Sequence, residues 1–344
     1  MRLLQFIHPT NGPRLGLAEG DTVTDLTACA PHPASLFDLY YNHGGNTNGL
    51  ETTVENINTS DAPRLSLNDL LSNTLDPEQP HLISPVTAPD NAPHQLLVWL
   101  AGVTHEDSAK LREIEAKQAT GGAVNVYDQK YRECAAGGIP ELFSKSDSAH
   151  LMGHGGGISH PNDTRRLVPE TELVSVYGLN FEGQIERLGY TGGNDYTDNG
   201  IEAENPLNLP QAKNWAYGCA SLGPLLVTES EFNDSSVKVS CEVLRKGERV
   251  GYKEGYTGQD HLNTPDGLYH LEKSLFSRIP LEPNTLLVFY WGTPIVFAEN
   301  DLESGLLVGD TVTMTFEDIG PISNPIVPFP ETDQLEWLNK HQKK

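Results

Sequence analysis

The chain has 344 residues, with 23 Lys or Arg against 47 Asp or Glu, a formal net charge of −24. At roughly 100–200 residues per domain, this length predicts two domains. The acidic balance excludes nucleic acid and anionic membrane as partners, since both present phosphate that the chain repels, but it admits a small anionic substrate where a divalent metal supplies local positive charge.

The opening residues, Met1–His8, lack an apolar stretch of about 7–15 residues behind a basic region, and no window approaches the ~20 apolar residues of a membrane span, so a cytoplasmic protein is expected. The cysteines, Cys29, Cys134, Cys219 and Cys241, are far apart with no CxxC pair, which predicts small, reduced, buried side chains.

In chain order, residues 3–7, 14–18 and 22–26 read as short strands separated by Asn-Gly-Pro and Glu-Gly-Asp turns. A helix is predicted over 34–42, with Leu36, Leu39 and Tyr40 at helical spacing, then a Gly-, Asn- and Thr-rich loop over 43–64 and a further segment over 65–74. The Pro- and His-rich stretch 76–94 marks a boundary. The expected division is a small β-rich N-terminal domain over 1–93, a second domain carrying the chemistry over 94–330, and a polar tail over 331–344, either a short helix or frayed.

Beyond the boundary, 95–101 is a buried strand ended by Gly102. Residues 106–118 predict a helix, with Leu111, Ile114 and Ala116 among alternating charges. Strands follow at 173–179, 225–229, 237–244, 285–289 and 311–316. Frequent strands with few helices favour a mainly β, α+β architecture over a doubly wound α/β fold.

There is no GxGxxG after a strand, no GxxxxGK[ST], no HExxH and no GxSxG, which removes dinucleotide, nucleoside-triphosphate and serine-hydrolase chemistry. Without a nucleophile elbow, His154 and the triple glycine 155–157 read as a turn. The informative stretch is Val168–Gly178. Glu170 and Glu172 are two apart at the entry to a β run, so both face one side. Adjacent like charges are destabilising unless a cation lies between them, and oxygen ligands of this kind suit Mg²⁺, Mn²⁺ or Ca²⁺. On this pair alone, an exposed acidic strand face remains the alternative. A hairpin-like segment over 179–188 and the Gly-rich turn 189–195 would return Asp195 beside the pair and complete a three-carboxylate site.

The order ProGluLeuPheSerLys (140–145), ArgArgLeuValProGluThrGluLeu (165–173), GlyTyrThrGlyGlyAsnAsp (189–195), ProGlnAlaLys (210–213) and LeuGlyPro (222–224) resembles the fumarylacetoacetate hydrolase superfamily. GlyThrPro (292–294), LeuValGlyAsp (307–310) and IleGlyProIleSerAsnPro (319–325) fit its closing segments, so the resemblance spans about 95–327. It implies rolled, mixed β-sheets around a Mg²⁺ or Mn²⁺ ion, a small anionic 2-oxoacid substrate, and a homodimer or homotetramer. Residue by residue, it implies Glu170, Glu172 and Asp195 as metal ligands. Lys213, Lys145, Thr293 and Asn194 are implied to face the substrate.

Hydrolases of this superfamily carry a Gly-Leu-Asn-Tyr-x-x-His pattern whose histidine activates water. Here Gly102-Val-Thr-His-Glu-Asp-Ser108 places Ser108 at that position, with His105 three residues earlier. Ser108 thus becomes a substrate contact and His105 a catalytic candidate. This variant, with Glu202–Lys213, is more similar to the branch that dehydrates 2-keto-3-deoxy sugar acids, for example a pentonate to 2,5-dioxopentanoate. In such a reaction Lys213, Glu202 or Glu204 would move protons, Lys213 with its pKa lowered by the adjacent cation. The alternatives are C–C hydrolysis of an acylpyruvate, decarboxylation of a 2-oxo diacid, and an inactive metal-binding protein. His150, His154, His160, His261 and His270 carry only weak site signals, and Trp291 reads as packing.

Overall fold

The computed structural model describes residues 1–73, 75–122, 126–145, 147–331 and 340. The reading of the tail as a short helix or frayed segment lies outside these residues, Glu331 and Lys340 excepted.

Three apolar runs set the architecture. Every residue of the strands Thr171–Leu179, Ala220–Thr228 and Leu286–Tyr290 is buried. A strand covered on both faces must lie in the middle of a sheet with material packed above and below it. Among the described residues, twelve strands form one mixed sheet. Its main path runs Arg64–Ser66, Thr22–Asp25, Gly12–Glu19, Arg2–His8, Ala220–Thr228, Ile185–Asp195, Thr171–Leu179, Leu286–Tyr290, Leu96–Gly102 and Glu141–Ser144. A second sheet orders Glu248–Thr257, Val237–Arg245, Asp310–Phe316, Gly320–Pro328 and Ile158–His160. The architecture is mainly β with some α, the expected α+β class.

Leu173, Tyr177 and Phe289 of the large sheet form one core with Val239, Met314 and Phe316 of the second. On the opposite face, Val174, Val176 and Val288 pack with Leu36, Leu39 and Tyr40 of the helix Leu36–Asn42. The double glycine of the 189–195 motif belongs to this packing. A Cβ on Gly192 would enter the ring of Phe316, and one on Gly193 the ring of Tyr290. Only glycine lets the layers close at the level of the acidic residues.

The 43–64 stretch is not simply a loop. It holds the helices Gly45–Asn48 and Leu50–Glu55, the second burying Leu50, Thr53 and Val54 on one face. That i, i+3, i+4 pattern is obscured by Gly, Asn and Thr, and tertiary packing overrides their weak propensity. The 106–118 helix is present as Glu106–Thr120, but Ile114 is 52% exposed while Arg112 is buried. Its inner side is polar. Among the described residues, the four cysteines are buried and form no disulfide, and no helix is long and apolar enough to cross a membrane.

Candidate active site

Glu170 stands immediately before the Thr171–Leu179 strand, and Glu172 is that strand's second residue. The hairpin sets Asn194 opposite Thr171, and the Asp195 amide donates to the Glu170 carbonyl at 3.0 Å. Asn194 fixes this corner, its Oδ1 accepting from the Glu170 amide at 2.8 Å. One carboxylate oxygen from each of Glu170, Glu172 and Asp195 lies within 4.8 Å of the others, and all three residues are buried.

Cations surround the trio. Lys213, ending the short helix Leu209–Lys213, donates from Nζ to Glu170 Oε2 (2.9 Å), Asp195 Oδ2 (2.7 Å) and Thr197 Oγ1 (2.8 Å). Lys145 Nζ is bonded to Asp195 Oδ1 and to the Tyr196 carbonyl at 2.6 Å. Arg112 reaches down from its helix, Nη2 on Glu170 Oε1 and Nη1 on Glu115 Oε2 at 3.1 Å. Burial opposes ionisation of Glu170, but Lys213 and Arg112 hold its carboxyl down at about 2. Glu172 behaves oppositely. Burial, then Asp195 and Glu170, push its carboxyl well above the usual range, and the Gly292 amide at 2.8 Å offsets this only partly.

An all-carboxylate donor set with no sulfur or imidazole matches a hard divalent cation, and among the described residues Glu172 is the one of the three without a cationic bonding partner. These residues fit Mg²⁺ or Mn²⁺, with Glu170, Glu172 and Asp195 as the groups that would hold it. Burial favours neutral Lys213, yet Asp195 and Glu170 keep its ammonium above the ordinary lysine range. Lys213 is therefore a cation paired with two of the carboxylates, and the lowered pKa expected of it is tied to a divalent cation shared with those same carboxylates.

The trio opens on a small cleft. Ser108, Arg112, Tyr127, Glu141, Glu202 and Thr293 are among its walls. Glu141 and Arg112 are missing from the sequence-based candidates. Glu141 begins the edge strand Glu141–Ser144 opposite Gly102, and burial, then Glu202, raise its carboxyl to about 7. A Cβ on Gly102 would strike the Glu141 carboxylate, so this glycine makes room for the acid. Ser108, Arg112 and Glu115, spaced i, i+4, i+7, form one stripe on the helix, a signal that was legible before any coordinates.

The other candidates scatter. Glu202, in the helix Asn199–Glu204, is buried in the cleft wall. Glu204 is exposed and ion-paired with Arg165, away from the cleft walls. His105 is buried outside the cleft, in a neighbouring hollow with His261. Its ring nitrogens meet Thr104 Oγ1 (2.9 Å) and Thr257 Oγ1 (3.1 Å), and burial, then His261, lower its pKa to about 3. Lys145 and Asn194 stand behind Asp195 and Glu170 and are not part of the cleft wall. Thr293 lines the cleft, but its hydroxyl is engaged with the Ile295 carbonyl (2.6 Å) and amide (3.1 Å). None of His150, His154, His160 or His270 lines it, and Trp291 is fully buried packing.

Residues 116–327 match the fumarylacetoacetate (FAA) hydrolase C-terminal family. The chain belongs to this family. Among curated proteins, it is 32% identical over 245 residues to 2-dehydro-3-deoxy-D-arabinonate dehydratase of Saccharolobus solfataricus, covering 70% of this chain and 74% of that one. It is 34% identical over 231 residues to the "Probable 2-keto-3-deoxyxylonate dehydratase" of Haloferax volcanii, covering 67% and 71%. Of solved structures, 2-keto-3-deoxy-D-arabinonate dehydratase superposes in its apo form with a TM-score of 0.70. Its complex with magnesium and 2,5-dioxopentanoate superposes with a TM-score of 0.67. Both are 22% identical and cover 96% of this chain and 100% of theirs, which establishes the shared fold. Dehydratase relatives over most of the chain support an enzyme.

Proposed function

We propose that this chain is a Mg²⁺- or Mn²⁺-dependent dehydratase of a 2-keto-3-deoxy sugar acid, converting a 2-keto-3-deoxypentonate to 2,5-dioxopentanoate and water. The observation that carries this is a buried carboxylate trio opening on a cleft whose wall carries a carboxyl raised to about 7, Glu141, with no histidine among the cleft walls. The dehydratase names of the curated relatives support it. A divalent cation held by Glu170, Glu172 and Asp195 would supply Lewis acidity to the 2-oxo acid end of the substrate.

The chain's own groups do the rest. Glu141, titrating at about 7, is suited to take a C3 proton as carboxylate and give it to the departing C4 hydroxyl as acid. Lys213 sets its side-chain nitrogen between Glu170 and Asp195, where negative charge would build on the substrate's oxygens. Ser108 offers a hydroxyl from the start of the Arg112 helix. Lys145 and Asn194 act as positioning residues for Asp195 and Glu170, and Thr293 shapes the wall. C–C hydrolysis and decarboxylation of a 2-oxo diacid rank lower, since Ser108 replaces the water-activating histidine and His105 lies outside the cleft.

A panel of 3-deoxy-2-oxo acids and acylpyruvates with Mg²⁺, followed by mass, tests the reading. Loss of one water from a 2-keto-3-deoxy acid is expected, and cleavage of an acylpyruvate instead would replace the proposal. Metal binding without turnover of any of these acids would leave the inactive metal-binding protein. The proposed setting is cytoplasmic, with a homodimer or homotetramer as assembly, which light scattering would test. The proposed domain division, at 93/94 with a tail from 331, is tested by limited proteolysis.

A further inference from the structure

Glu202 stands apart from the other cleft carboxylates. It is buried, it lines the cleft, and its Oε2 has no hydrogen-bond partner. Arg112 Nη1 is 3.9 Å from that oxygen, beyond hydrogen-bond reach, while Arg112 Nη2 is bonded to Glu170. Glu202 is therefore set back from the carboxylate trio by the width of one guanidinium. A buried acceptor left without a donor is costly to maintain, and such groups in native proteins call for an explanation such as a ligand or a catalytic role.

The proposed reaction has a second proton abstraction, at C5, beyond the C3 step assigned to Glu141. Eliminating water across C3 and C4 of a 2-keto-3-deoxypentonate gives 5-hydroxy-2-oxopent-3-enoate, an enone with an intact C5 alcohol. The aldehyde of 2,5-dioxopentanoate appears only after a C5–H bond breaks. The electron pair of that bond forms C4=C5, the C3=C4 pair shifts to C2=C3, and the C2 carbonyl pair moves onto oxygen. Protonation at C3 restores the ketone and leaves a C4=C5 enol. This enol takes a proton at C4 and loses its hydroxyl proton to become the aldehyde. The sequence is an internal isomerisation, with no external oxidant or reductant.

Resting on the dehydratase reading above, we propose that Glu202 is the base that removes the C5 proton, so that elimination and aldehyde formation are served by different carboxylates. With C1 and C2 directed at Glu170, Glu172 and Asp195, Glu202 is a carboxylate of the same cleft wall that stands off from the trio across Arg112, at the distance the far end of a five-carbon acid would span. An oxygen with no protein donor is free to receive the proton. The substrate class narrows accordingly to 2-oxo-3-deoxy acids bearing a C5 hydroxyl on a carbon that still carries hydrogen.

The test follows 2-keto-3-deoxypentonate and Mg²⁺ through two channels, enone absorbance and aldehyde trapping. Wild type is expected to yield aldehyde with little standing enone. Glu202→Gln is expected to form enone within about threefold of the wild-type rate and aldehyde at least 100-fold more slowly. Glu202→Asp, which keeps the charge but shortens the reach, is expected to slow only the aldehyde step, and it decides the matter if the glutamine variant does not fold. Aldehyde at the wild-type ratio to enone, or equal loss of both steps in a variant that still binds Mg²⁺, overturns the assignment. A wild type that forms neither product overturns the dehydratase reading itself, and the assignment with it.

Discussion

Replacing Glu172 by Gln should stabilise the metal-free protein while abolishing its response to Mg²⁺. Ligand oxygens of Glu172, Glu170 and Asp195 lie within 4.8 Å of one another. At that separation two unit charges repel by about 3.5 kcal/mol at an effective dielectric of about 20. Lys213 offsets part of this, and burial with the two neighbouring carboxylates already pushes the Glu172 carboxyl toward its neutral form. Removing the charge is then worth about 1–3 kcal/mol. The amide side chain keeps an oxygen to accept from the Gly292 amide. At about 2 °C per kcal/mol, the melting temperature without metal should rise by about 2–6 °C. Wild type at a Mg²⁺ concentration of about 100 times Kd should gain about 2.7 kcal/mol, roughly 5 °C, and the variant nothing. Differential scanning fluorimetry of both proteins, in chelator and in Mg²⁺, gives all four values. A variant that melts below wild type in chelator, or keeps the Mg²⁺ shift, refutes the reasoning.

Other consequences are equally direct. Because Glu141 titrates at about 7 and is proposed to act first as a base, kcat/KM should rise with pH through about 7, and Glu141→Gln should cost at least 100-fold. The same raised carboxyl contributes stability that is full below about 4.5 and is lost as pH rises through about 7, a decline that pH-dependent denaturant melts of metal-free wild type and Glu141→Gln would register. Gly102→Ala should displace the Glu141 carboxylate and cut kcat with metal affinity unchanged, as calorimetry with Mg²⁺ would report; wild-type turnover would contradict the packing argument. His105→Gln should lose about 1–2 kcal/mol of stability from its paired threonines yet keep kcat within a few-fold, and a large kcat loss in the folded variant would place His105 in the chemistry after all.

Much of this was readable from the chain because it lies in contiguous motifs. Glu170 and Glu172 share a strand face by simple alternation, and Asp195 returns on the next strand of the same hairpin, so their meeting needs no long-range information. Arg112 and Glu141 are different. One comes from a helix 58 residues before its partner Glu170, the other from an edge strand, and only the sheet order brings them to the cleft. The polar stripe of Ser108, Arg112 and Glu115 is nevertheless visible in the helical spacing, because a helix that lines a charged site buries a polar face. Glu202 and Glu204 could not be separated by sequence, because they differ only in which side of a short helix is covered. The helix Leu50–Glu55 was missed because its burial comes from the sheet beneath it rather than from its own propensities.

The pairing of Arg2 and Leu3 with Val227 and Leu226 has a consequence for any shortened version of this protein. The strand Ala220–Thr228 also flanks Ile185–Asp195, which ends in the acidic bend. Deleting the leading segment would leave part of a fully buried strand with bare amide and carbonyl groups, a ready template for intermolecular ladder formation. Trimming the chain to its chemical half should therefore yield inclusion bodies sooner than a smaller enzyme.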